Sequence, residues 1–147
     1  MDPLSISVSV TALIGVCSQT VQLIQRIIET VKNAGKVLIK LLSQTESLRL
    51  ILEQLRGLTN QLGTKAGLLL SFNDSGPKIT INELNSLVKS IAEKKNFMPL
   101  QMLLNKGKVD ALVERMKGHE AEVLTVLLSV ATSVQSTDLG PQLLIAG

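Results

Sequence analysis

The sequence predicts an all-α fold, a four- to five-helix bundle with a hydrophobic N-terminal helix. Three observations predict it. Apolar residues recur at steps of three and four in several long stretches, the spacing that lines one face of an α-helix. Clusters of Gly, Pro and Asn separate those stretches. The apolar content, 45% of the 147 residues, is aliphatic: there are 27 leucines but only two aromatic side chains, Phe72 and Phe97. A chain of this length fits one domain that buries roughly 70% of its unfolded surface, so it needs no covalent staple. The expected organisation is a helical domain over 1–134, followed by a linker or truncated tail over 135–147, where Gly140-Pro141 precedes a short apolar run.

The first helix is expected from about 4 to 32. Residues 4 to 12 alternate apolar and hydroxyl side chains, which alone reads as a strand of period two. From Val10 onward the helical period takes over through Leu13, Cys17, Val21, Ile24, Ile28 and Val31. Pro3 falls in the first turn, where a missing N–H costs little. After Asp2 no charged residue appears until Arg26, yet nine side chains in this run can hydrogen-bond: Ser5, Ser7, Ser9, Thr11, Ser18, Gln19, Thr20, Gln22 and Gln25. The run is long enough to cross a bilayer and too polar to serve as a constitutive anchor. It lacks the basic leader and small-residue cleavage site of a secretory signal.

Asn33 and Gly35 mark a break, and a second helix follows over about 36 to 62. Its Leu38, Leu41, Thr45, Leu48, Leu52, Leu55, Thr59 and Leu62 form a three-four seam, the clearest periodic signal in the chain. Glu46, Arg49, Glu53 and Arg56 are spaced to pair on a solvated flank. Residues 63 to 80 read as looser, with a turn at Asn73-Asp74-Ser75-Gly76. A third helix is then expected from Thr80 or Asn82 to about Lys95, a short one around Leu100, Leu103 and Leu104, and a last one over about 108 to 134. The core seam is assigned to Leu41, Leu48, Leu52, Leu55, Met116, Val123 and Leu127.

Most chemistry is excluded by what is missing. One cysteine, Cys17, and one histidine, His119, leave no zinc constellation and few acid–base arrangements. No phosphate loop, nucleophile elbow or His-Glu-x-x-His spacing occurs. No catalytic residue, metal, cofactor or enzymatic activity is expected. Cys17 lies on the apolar stripe of the first helix and reads as a core residue. His119 sits in a polar stretch with Glu120 and Glu122 and reads as a surface side chain. The net charge of +3 comes from eleven Lys and four Arg against twelve acids. That Lys-rich mix suits diffuse attraction to anionic surfaces, and without aromatic rings for base stacking no nucleic-acid partner is expected.

Two features carry positive information: the neutral N-terminal helix, and Lys94, Lys95, Lys106 and Lys108, which bracket an apolar cluster from Phe97 to Leu104 with no acid between them. Basic residues around apolar ones are what an anionic membrane surface attracts.

The opening Met1-Asp2-Pro3-Leu4-Ser5 with Val8, Val10, Ala12, Leu13 and Ile14 resembles the fungal HeLo-like N-terminal domains of NLR-type STAND receptors. The same broad group includes the azaphilone pigment cluster protein N-terminal domain. The resemblance continues at Val31-Lys32-Asn33-Ala34, at Leu41-Leu42-Ser43-Gln44-Thr45-Glu46-Ser47-Leu48, at Leu52-Glu53-Gln54-Leu55 and at Leu112-Val113-Glu114-Arg115-Met116 with His119. It returns at Phe97-Met98-Pro99-Leu100, where the family often has Trp before Pro; that missing Trp and the Gly-rich segment over 63–77 are departures from it. The resemblance implies a cytoplasmic signalling effector of programmed cell death, of the kind involved in heterokaryon incompatibility. Such a domain forms a homo-oligomer on activation, works with an NLR/STAND receptor or domain, and is recruited to anionic lipids of the plasma membrane. On that reading Leu4, Ile6, Val8, Val10, Leu13, Ile14, Val16, Val21 and Ile24 belong to the membrane-inserting helix, and Lys94, Lys95, Lys106 and Lys108 contact anionic lipid. The alternative is a protein–protein interaction or regulatory bundle without membrane activity, whose first helix stays in the core.

Overall fold

The computed structural model of the chain describes residues 3–30, 35–62, 72–94 and 106–134. They form four helices: α1 (Pro3–Thr30), α2 (Gly35–Leu62), α3 (Ser75–Lys94) and α4 (Lys106–Val134). No strand occurs among the described residues, so the period-two opening belongs to a helix. Its hydroxyls explain the ambiguity, because Ser at every second position mimics strand alternation while Ile6, Val10, Leu13 and Cys17 still share one buried helix face. The short helix expected around Leu100 lies outside the described residues.

The third helix begins at Ser75, five or more residues before the expected Thr80 or Asn82. Asn73-Asp74-Ser75-Gly76 is its cap: the Asp74 carbonyl accepts from the Lys78 N–H at 2.9 Å, and Asn73 Oδ1 accepts from the Ser75 N–H at 3.0 Å. Pro77 reads as a breaker in sequence, yet it falls in the first turn, where no intrahelical bond needs its nitrogen. The only positive φ among the described residues is +75° at Gly35, a left-handed conformation that side chains disfavour, at the boundary between α1 and α2.

Side-chain pairs give the helix directions. Thr20 meets Asn85 and Ser9 meets Asp74, so α1 and α3 run parallel. Lys40 pairs with Asp110 and Gln44 with Glu120, so α2 and α4 are parallel too. Thr80 meets His119 and Glu83 meets Arg115, which makes α3 and α4 antiparallel. Among the described residues α1 packs on α2 and α3, and α4 packs on the same two. The order around the bundle is therefore α1, α2, α4, α3, with α2 and α3 diagonal. Consecutive helices α2 and α3 are therefore not neighbours in the bundle.

One core joins all four helices. Leu38, Leu41, Leu48, Leu52 and Leu55 of α2 are buried together with Ile6, Val10, Leu13, Cys17, Ile24 and Ile27 of α1, and with Ile81, Leu84, Val88 and Ile91 of α3. Val109, Leu112, Val113, Met116, Val123 and Val130 complete it from α4, and Leu127 packs half-buried at its edge. The two buried hydroxyls of α2 are satisfied locally, Thr45 donating to the Leu41 carbonyl at 2.7 Å and Thr59 to the Leu55 carbonyl at 2.9 Å.

The α1–α3 contact contains a buried polar pair that hydrophobic periodicity does not announce. Asn85 Nδ2 donates to Thr20 Oγ1 at 2.9 Å, and that hydroxyl donates to the Val16 carbonyl at 2.8 Å. Thr20→Val leaves the Asn85 amide without this acceptor, so urea denaturation should show a loss of about 1–3 kcal/mol. The double variant Thr20→Val with Asn85→Leu should recover most of it, and equal losses in both would show that the bond is energetically irrelevant.

Candidate functional site

Helix α1 has two faces. Ile6, Val10, Leu13, Ile14, Val21 and Ile24, six of the residues assigned to a membrane-inserting helix, are buried in the bundle core. Val16 is half-buried, Val8 is 63% exposed, and Leu4 lies in the first turn. The exposed flank carries polar side chains, among them Ser5, Thr11, Gln19, Gln22 and Gln25. An 18-residue window within residues 5–30 reaches a mean hydropathy of 1.5, so α1 is long and apolar enough to cross a membrane by length and composition. A core helix of a soluble bundle meets the same criterion.

Magnitudes decide how firmly α1 is seated. Seven large aliphatic side chains of α1 are buried: Ile6, Val10, Leu13, Ile14, Val21, Ile24 and Ile27. At about 1.5–3 kcal/mol each, exposing them all to water costs on the order of 10–20 kcal/mol. The helix does not leave into water on its own; only another apolar phase offsets that cost.

Cys17 belongs to the same stripe and is fully buried. Burial pushes its thiol up to about 12, opposed in part by the Arg49 guanidinium. It is a packing residue, not a nucleophile.

The predicted lipid contacts fall at one end of the bundle, where α1 and α3 finish and α2 and α4 begin. Lys94 is the last residue of α3, Lys106 opens α4, and Lys108 is exposed on its first turn; Lys95 lies outside the described residues. Helix direction adds four basic residues that sequence reasoning did not group with them: Arg26, Lys36, Lys40 and Lys89. Within about 8 Å of that end along the helix axes, these seven face three acids, Glu29, Glu93 and Asp110. Lys40 and Asp110 approach to 3.6 Å in an exposed pair that contributes little. The signal that would have grouped them is topological: residues 26, 36 and 89 are far apart in sequence and share a level only once the helix directions are known.

The opposite end is nearly free of charge. Residues 3–18 of α1, 57–62 of α2 and 123–134 of α4 include no acidic or basic side chain, and α3 brings only Lys78, one turn after Asp74. The molecule is thus polarised along its axis, and α1, about 42 Å long, runs from the uncharged end to the basic one.

His119 is a wedge between α3 and α4, only 13% exposed, where sequence reasoning had placed a surface side chain. Its Nε2 lies 2.8 Å from Thr80 Oγ1, while Nδ1 is buried without a hydrogen bond, 3.8 Å from a Glu122 oxygen. Gly76 makes the fit possible, since a Cβ there would stand 2.9 Å from His119 Cε1. One turn along, Arg115 bonds Glu83 at 2.6 Å and holds that carboxyl below its ordinary range. Glu120 is shifted the other way, raised by burial although Ser47 and Gln44 hydrogen-bond to it. These groups clasp helices, and among the described residues no cluster of His, Cys, Asp and Glu could hold a metal ion.

No family model, curated protein or solved structure matches the chain. The molecule's own geometry is what bears on function.

Proposed function

We propose that this chain is a signalling effector domain of the HeLo-like kind, which oligomerises and delivers α1 to an anionic membrane. The observation that carries the reading is the axial arrangement of α1. A helix uncharged over residues 3–25, a run of bilayer-spanning length, ends at the basic pole, and the boundary glycine Gly35 lies at that same pole. With the basic pole on an anionic surface, at about 1 kcal/mol per unpaired cation, the pivot of α1 would sit at the headgroups. Swinging outward about that pivot, α1 would carry its uncharged first turns into the hydrocarbon. The side chains that lose the bundle core would regain an apolar phase, which offsets the roughly 10–20 kcal/mol cost of exposing them to water. Its serines and glutamines would need partners inside an oligomer, because hydrocarbon supplies none.

Forced clustering of the full chain on vesicles of anionic lipid should release an entrapped dye, and neutral vesicles should stay sealed. Charge reversal at Arg26, Lys36 and Lys89 should abolish release from the anionic vesicles. Clustered protein that leaves anionic vesicles intact ends this reading. Deleting residues 1–20 also removes release on this account, but it strips Ile6, Val10, Leu13 and Cys17 from the core, so a folded point variant is the sharper probe.

The second reading, a protein-binding or regulatory bundle without membrane activity, is favoured by the same buried stripe and by the Thr20–Asn85 bond, both of which keep α1 in place. It requires that α1 open only when the whole bundle unfolds.

A further inference from the structure

The α1–α3 interface is not filled along its length. Ser5, Ser9 and Ala12 follow one another at steps of four and three on the side of α1 that meets α3, where larger aliphatic residues would close the gap. The result is a groove of about 540 Å³, a volume typical of small-molecule sites. It runs from Ser5 to Val16, about 16 Å at the helical rise. Ser9 closes onto Asp74 by a hydrogen bond at one level, and the Thr20–Asn85 bond pins the two helices beyond the other end.

The lining fixes the chemistry of an occupant. Val8, Ala12, Leu13 and Val16 make an apolar wall, with Val8 63% exposed although apolar. Asn82 and Lys78 stand opposite on α3. Among the described residues Lys78 makes no ion pair and is the one cation at this pole, where Asp74 is its acidic neighbour. Asp74, one turn away, is engaged by Ser9 and sits at the start of α3, where the helix dipole stabilises a negative charge. A long apolar trough with a single unpaired ammonium at its wall fits an extended aliphatic body bearing one anionic head.

We infer that this groove binds a single-chain anionic amphiphile, its aliphatic chain against Val8, Ala12 and Val16 and its head on Lys78. A ligand touching both helices holds α1 docked, so it favours the resting bundle by mass action. Binding itself does not depend on the membrane reading; only its meaning as a brake on release does.

Calorimetric titration of the full chain with sodium laurate and with dodecyl phosphate, both below their micelle concentrations, tests the inference. Both anions should bind at one site, and dodecyltrimethylammonium should bind at least tenfold more weakly. Lys78→Glu should weaken the anions at least tenfold and remove the preference over the cation. Ala12→Phe, a substitution at an exposed position that fills the trough, should abolish binding while the thermal midpoint of the free protein stays unchanged; Ala12→Leu gives a second, milder filling. At laurate concentrations one hundred times Kd, reagent access to Cys17 should slow about a hundredfold.

A fatty acid in solution and a single-chain lysolipid drawn from a bilayer share this chemistry. Competition of laurate by neutral vesicles doped with lysophosphatidylglycerol, beyond that by the same vesicles undoped, assigns the bilayer source, and equal laurate affinity with both assigns the free amphiphile. Equal binding of the cation, indifference to both Lys78→Glu and Ala12→Phe, or no binding below the micelle concentration overturns the inference. So does binding that appears only after Leu68, Leu69 and Leu70 are replaced by Ser, which would give the trough to the chain's own leucines. Laurate binding without vesicle leakage sinks the membrane reading alone, and leakage without laurate binding sinks this one alone.

Discussion

Cys17 in the folded chain will react with a soluble disulfide reagent at pH 8 at least a thousandfold more slowly than in the unfolded chain. Burial moves its thiol from an ordinary 9.0 to about 12, so the reactive thiolate is about a thousandfold scarcer, and the closed core around it adds a steric block. Labelling of the native protein therefore reports how often α1 opens. If α1 is the part of the bundle built to leave, labelling in mild denaturant will run ahead of global unfolding measured by circular dichroism. Coincidence of the two free energies would mean that α1 opens only with the whole molecule, which is what the protein-binding reading requires. The chain has one cysteine, so the signal needs no assignment.

The same residue shows how far sequence reasoning reaches. Placing Cys17 on a buried stripe required only the three-four spacing of Val10, Leu13, Cys17, Val21 and Ile24, because an α-helix in water must turn its apolar face to a partner. The α2 seam was legible for the same reason, and seven of its eight members are fully buried. The start of α3 was not legible, since Gly76-Pro77 carries a breaker signal whose meaning reverses inside a first turn. His119 was misplaced because its neighbours in sequence are polar, while its neighbours in space, Thr80 and Gly76, come from a helix that sequence alone does not bring to it. The basic pole was seen only in part. Lys94, Lys106 and Lys108 are close in the chain, whereas Arg26, Lys36, Lys40 and Lys89 join them through helix direction, a tertiary property. The groove on α1 depends on which side of the helix its small residues face, and Ser5, Ser9 and Ala12 carry no such mark in an uncharged run.

The largest contrast in stability should come from two valines two positions apart. Val10 has no exposure, and Val10→Glu places a carboxylate among Ile6, Leu13 and their partners with no cation to receive it. An unpaired buried charge costs several kcal/mol, comparable with the 5–15 kcal/mol that holds a domain of this size together, so the variant should be largely unfolded at 25 °C. Val8 is 63% exposed, and Val8→Glu should change stability by no more than about 0.5 kcal/mol. That second variant separates packing from insertion, because its carboxylate stays in water while α1 is docked and must enter hydrocarbon if α1 inserts. An ionised side chain there costs about 3 kcal/mol per helix, more than a hundredfold in the insertion equilibrium. Dye release by clustered Val8→Glu should fall by at least that factor at an unchanged thermal midpoint, and Val8→Ala should release dye as the parent does. If Val8→Glu permeabilises vesicles as well as the parent, the first turns of α1 do not enter the bilayer. The buried stripe is then a core element and nothing more, and the uncharged pole faces another protein instead of a lipid.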